Sequence, residues 1–255
     1  MAINQYEDKL KSVYDKHYCS GECINYRQCK KGLVDDGLLF NCAKLGAHYG
    51  DRPYRKVLVV GKEPVTQNQK ITRTALLDKA DNPHYRRTLY TLATILEQEP
   101  KSEKIDDIKH YEKLLDYFCL TNYFKCSFTE TVKEKDEKKA KKNSGIETSK
   151  AMKKECWKIL MDEIKALAPE IIIIQGKMWG DEFLEKIKTR FGHMETKYKN
   201  GYEELTKHEN GPNGGPLYIV WTYHPTARAK YSWNKRLCYL RGALESLREC
   251  LNLER

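Results

Sequence analysis

Four short aliphatic or aromatic runs, set apart by long amphipathic stretches, constrain this chain more than any other feature. They are KVLVVG (56–61), FCLTNYF (118–124), EIIIIQG (170–176) and LYIVWTY (217–223). Each is rich in β-branched or aromatic residues, as a buried strand requires, and two end in glycine. Helical periodicity runs over about 85–98, 106–117, 149–167, 179–191 and 232–251, the last with Ser232 as its N-cap. Strands alternating with helices predict an α/β fold: three α/β/α layers around a central, mainly parallel four-stranded sheet. No linker composition interrupts the pattern, so residues 1–255 are expected to form a single domain. Three segments depart from it. Residues 1–50 are rich in cysteine, residues 133–148 read as a mobile lysine-rich insertion, and residues 200–216 read as a loop or hairpin before the last strand.

The longest aliphatic run, at 171–174, is far too short to span a bilayer, and the first residues lack the apolar segment of a signal peptide. A cytoplasmic protein without a membrane partner is expected. A formal charge of +10 and a pI near 9.0 favour a polyanionic partner, although the run KEKDEKKAKK supplies part of that excess. Nine cysteines are many for a reducing compartment, so a subset is expected to bind a metal or a cluster.

In parallel sheets, functional groups collect beyond the carboxyl ends of the strands. The residues at those ends are Lys62-Glu63-Pro64, then Asn122 with Lys125-Cys126, then Lys177, then His224-Pro225-Thr226. The order GKEP, TNYFKC, QGK and HPT, each after a strand, resembles the uracil-DNA glycosylase superfamily over nearly the whole chain. TNYFKC is similar to the TN-x-x-KC of its iron–sulfur branch, and Cys156 in KKECWKIL matches that branch's later helix cysteine. The GKEPV loop departs from the branch, whose Glu usually follows the glycine directly; here that position is Lys62.

The resemblance implies roles for these residues. Glu63 takes the slot of the polar residue that orients water and stabilises the sugar cation. His224 donates a hydrogen bond to the base carbonyl oxygen as negative charge develops there. The plainer alternatives are an exposed loop glutamate and a structural histidine. Asn122 offers an acceptor beside a donor, which suits reading a base edge. Tyr85 is assigned the aromatic platform for the extruded base, and Val65 the position bordering carbon five of a pyrimidine. Thr226, Arg228, Lys230, Lys235 and Arg236, interleaved with Tyr231 and Trp233, are assigned to DNA phosphates.

The same resemblance assigns a 4Fe–4S cluster to Cys19, Cys23, Cys126 and Cys156, with Cys29 or Cys42 as substitutes for either upstream ligand. Soft thiolates suit zinc as well, and spacing does not separate the two. Cys119, Cys238 and Cys250 fall at apolar positions and are expected to be buried packing residues. The implied activity is a DNA N-glycosylase that flips a pyrimidine-type base from single- or double-stranded DNA and hydrolyses its glycosidic bond. Val65 in place of a bulky tyrosine leaves room for uracil or a modified pyrimidine, such as a hydroxymethylcytosine derivative in phage DNA, and so for either repair or antiviral defence. The competing class is a non-catalytic nucleic-acid-binding module held by zinc or a cluster. No glycine-rich phosphate loop comes after any strand, so no nucleotide cofactor is expected, and a monomer is.

Overall fold

The computed structural model describes residues 2–19, 22–23, 38–40, 42–61, 83–97, 99–123, 125–128, 150–176, 180–201, 203–225 and 233–251. The insertion at 133–148 lies outside them. The described chain runs α1 (Ala2–His17), β1 (Tyr18–Cys19), β2 (Glu22–Cys23), β3 (Leu38–Phe40), β4 (Lys44–Leu45) and β5 (Val57–Gly61). Next come α2 (Pro83–Leu96), α3 (Ile105–Ile108), a 3-10 helix (Lys109–Asp116), β6 (Phe118–Asn122), β7 (Cys126–Phe128) and α4 (Lys150–Leu167). The last elements are β8 (Ile171–Gln175), α5 (Gly180–Phe191), β9 (Met194–Asn200), β10 (Glu203–His208), β11 (Leu217–Thr222) and α6 (Trp233–Cys250).

The four aliphatic runs become β5, β6, β8 and β11, and all three pairings among them are parallel. Period-two alternation sends their side chains to opposite layers. Leu58, Val60, Ile172, Ile174, Ile219 and Trp221 pack with Leu10, Ile159, Leu160 and Ile164 under α1 and α4. Val57, Val59, Ile171, Ile173 and Val220 pack with Leu89, Leu92, Leu244 and Leu247 under α2 and α6. A strand buried on both faces cannot alternate apolar with polar, which is why these four read as continuous hydrophobic runs.

The sheet has seven strands rather than the expected four, in the order β4-β6-β5-β8-β11-β10-β9. The extra strands are antiparallel and sit at the edges: β4 against β6, and the β9–β10 hairpin against β11. Residues 200–216 thus divide into the turn of that hairpin, β10 itself and the connection to β11. The 106–117 stretch also differs, with one α-helical turn at Ile105–Ile108 followed by the 3-10 helix. Two small antiparallel ladders, β1–β2 and β3–β7, stand apart from the main sheet. Among the described residues no helix is long and apolar enough to cross a membrane.

Candidate active site

The carboxyl ends of the four parallel strands form one edge, and on it stand Asn122 ending β6, Gly61 ending β5, Gln175-Gly176 closing β8, and His224 past β11. Three strand spacings separate β6 from β11, about 14 Å of backbone that side chains can reach across from either end. The two glycines between them are set by close approach. Gly61 is the register partner of Asn122, and a Cβ on it would lie 2.6 Å from Asn122 Oδ1. The Tyr123 amide donates to the Gly61 carbonyl at 3.0 Å, fixing the turn after Asn122. Gly176 has a φ of 109°, a conformation that favours glycine, and its N–H donates to Thr222 O at 2.8 Å. A Cβ there would lie 3.6 Å from that of His224, so the two loops pack side by side.

His224 is half-buried, and its peptide is held from behind. Arg236 Nη1, from α6, donates to His224 O at 3.0 Å, and Arg87 Nη1, from α2, donates to Pro225 O. On its ring side His224 meets His84, with centroids 5.3 Å apart and the planes tilted by 54°. Burial, and then the charge His224 carries when protonated, push the His84 imidazole down to about 4. His84 is therefore neutral at physiological pH.

Two assignments change. Tyr85 is 1% exposed, packs with the α2/α6 layer and donates its hydroxyl to Glu112 Oε1 at 3.2 Å, so it does not face the edge. One residue earlier on the same helix, His84 does. Arg236 is 2% exposed, with its guanidinium 5.5 Å from the Tyr223 and Trp233 ring centroids. Enclosed in this way, it braces the His224 loop rather than meeting a phosphate. Glu63, Val65, Thr226, Arg228 and Lys230 lie outside the described residues, as do Lys62 and Lys177. Of Lys235 only the backbone, in the first turn of α6, is described.

Beside Asn122 the chain turns inward. Lys125 is fully buried, pairs with Glu163 of α4 and donates to Thr121 Oγ1 at 2.5 Å. Glu163 also accepts from Thr121 Oγ1 and Tyr14 OH, both at 2.8 Å. One polar knot therefore joins α1, β6 and α4. The Lys125 amide points at Cys156 Sγ, 3.5 Å away, and Cys156 is 3% exposed. The backbone brings the other cysteines to this place: β2 lies beside β3, and Phe40 of β3 is the register partner of Cys126. The side chains of Cys19, Cys23 and Cys126 are outside the described residues, and so is Cys29. Among the described residues no group of three or more His, Cys, Asp or Glu side chains is arranged to hold a metal ion. Cys42 is half-buried, with its thiol pushed up by burial. Cys119 is buried as expected and Cys250 partly so, whereas Cys238 is exposed on α6.

His84, Arg87 and Gln175 line or support this edge and were not singled out by the sequence pattern, whereas Lys125, read there as a strand-end residue, turns inward to Glu163. His84 and Arg87 flank Tyr85 in NPHYRRT, and a helix turned by one residue rotates its facing side chain by about 100°. Gln175 carries a plain signal, a polar residue closing a run of four isoleucines. It is 2% exposed, and its Nε2 donates to Thr88 Oγ1 at 2.7 Å.

A model of the uracil DNA glycosylase superfamily matches residues 47–248, which spans every element of this edge. No curated protein matches the chain.

Proposed function

The chain belongs to the uracil DNA glycosylase superfamily, and from that premise we propose that it flips a pyrimidine-type base out of DNA and hydrolyses its N-glycosidic bond. The observation that carries the reading is the shared edge: Asn122 ends β6 and His224 lies just past β11, with Gly61 and Gly176 between them. Bond cleavage leaves positive charge on the sugar and negative charge on the departing base. His224, beside a neutral His84, donates to the base carbonyl oxygen as that charge grows. Asn122 matches the base edge with an acceptor beside a donor. Glu63, two residues past Gly61, orients water and offsets the sugar cation. Thr226, Arg228, Lys230 and Lys235 come after His224 in sequence and meet phosphates, consistent with a formal charge of +10.

A 4Fe–4S cluster fits the cysteines of this chain. A thiolate in that role takes hydrogen bonds from backbone amides, and Cys156 already has the Lys125 amide aimed at its sulfur. Cys126 and Cys156 with Cys19 and Cys23 would hold the cluster, which tethers the amino-terminal segment to the β7–α4 region and supplies no step of the hydrolysis.

The substrate is uracil or a pyrimidine modified at carbon five, since Val65 stands where a bulkier residue closes that position; modified phage DNA offers such bases. Incubation with uracil-containing and modified-base duplexes, followed by alkali, tests this. Strand cleavage confined to uracil rejects the modified-base substrate, and cleavage confined to the modified base rejects uracil.

A further inference from the structure

We infer that Arg87 and Arg236 form a two-arginine clamp that fixes the aim of His224, and that they are positioning residues for base release. The inference rests on the glycosylase reading above. The clamp starts from two helices on the same face of the sheet. Arg87 projects from α2 and Arg236 from α6, and each donates to one of two consecutive carbonyls, Pro225 O and His224 O. The indole of Trp233 joins them, with its centroid 4.7 Å from the Arg87 guanidinium carbon and 5.5 Å from that of Arg236. Tyr223 adds a second aromatic ring against Arg236.

Two cations this close repel, so they need counter-charges. Arg87 has Glu103, whose oxygens lie 2.7 and 3.4 Å from its Nε and Nη2. Arg236 has the field of buried Glu203 on β10. Each arginine thus has an acid for its charge and still donates one hydrogen bond to a carbonyl of the His224 loop. A lysine could supply the charge, but not a planar fork that stacks on indole while donating sideways to a peptide. Both arginines and Trp233 line a small pocket with Gln175 and with Tyr223 and Pro225 of the loop that presents His224. A guanidinium so enclosed is badly placed for a phosphate and well placed to stop a peptide from rocking.

The test uses the full chain with Arg87→Lys, Arg236→Lys and Arg236→Gln, each checked by thermal melting. Single-turnover base release should fall about 10- to 100-fold in each lysine variant, with KM and the salt dependence of DNA binding unchanged. Combined with His224→Ala, Arg236→Lys should cost nothing further, because it acts through His224. Amide exchange at 222–224 should quicken in the variants whether or not any base is released. Raised KM with a shallower salt slope would make these arginines phosphate ligands and overturn the clamp. Full additivity with His224→Ala, or unchanged exchange at 222–224, would overturn it as well. If Arg236→Gln does not fold, the two lysine variants decide. If wild type releases no base while the variants still show the exchange change, the glycosylase reading is refuted and the clamp stands as a structural device.

Discussion

Replacing Gly61 with alanine should damage the site while sparing the fold. The added Cβ would stand 2.6 Å from Asn122 Oδ1, whereas the next nearest atoms, Asn122 Cγ and Thr121 O, are at 3.7 and 3.9 Å. Ordinary contact begins near 3.4 Å, so the Asn122 amide must retreat by 3.4 − 2.6 = 0.8 Å while the backbone stays in place. Gly61 is not among the glycines with positive φ, so alanine is free to adopt its backbone. Pushing one side chain off its rotamer costs about 1 kcal/mol, and removing a glycine from the unfolded chain returns about 0.4–1 kcal/mol. The melting temperature should therefore move by no more than a few degrees. Activity should fall much further, since a displacement near 1 Å in a positioned group can cost about 100-fold. The assay is single-turnover release of the base, in wild type, Gly61→Ala, Asn122→Ala and the double variant. The double variant should match Asn122→Ala alone. Full activity in Gly61→Ala, or a further loss on top of Asn122→Ala, refutes the role given to Asn122.

The same geometry sets other expectations. Glu163→Gln strands the fully buried Lys125 ammonium, a loss of about 3–5 kcal/mol, or roughly 10 °C in a domain this size, readable by thermal melting. His84 and His208 are both pushed down to about 4, chiefly by burial, from an unfolded value near 6.5. The unfolded chain therefore binds more protons in that window, so their contribution is whole above about 6.5 and is lost as pH falls towards 4. The melting temperature should fall over that range, and His208→Asn should flatten the fall. Purified protein should be brown, with a broad absorbance in the blue that Cys156→Ser or Cys126→Ser abolishes; a colourless protein carrying one zinc per chain would replace the cluster with zinc.

Sheet and site were unequally legible, for physical reasons. The central strands could be read because burial on both faces leaves unbroken runs such as 171–174. Strand β10 could not: its buried positions are Glu203, Glu204, Leu205, Thr206 and His208, mostly polar and enclosed by neighbours that sequence does not show. Helix α1 did carry a stripe in Tyr6, Leu10, Val13 and Tyr14, but its polar composition masked it. The strand-end rule picked out Asn122 and His224, which the structure places on one edge, because Asn122 ends β6 and His224 lies just past β11. Tyr85 and Arg236 depend on which face of a helix points at the site, and there one residue separates a core tyrosine from the histidine beside His224. Basic and aromatic residues also alternate at the start of α6, so the same pattern describes a phosphate contact and a cation stacked on Trp233.

The most direct test is the rate at which free base is released under single-turnover conditions from a panel of uracil and modified-pyrimidine substrates, single- and double-stranded, by wild type and by His224→Ala. Release of a pyrimidine-type base by wild type, slowed about 100-fold or more in the variant, is the predicted result. No release from any substrate, or equal rates in the two proteins, would contradict the account.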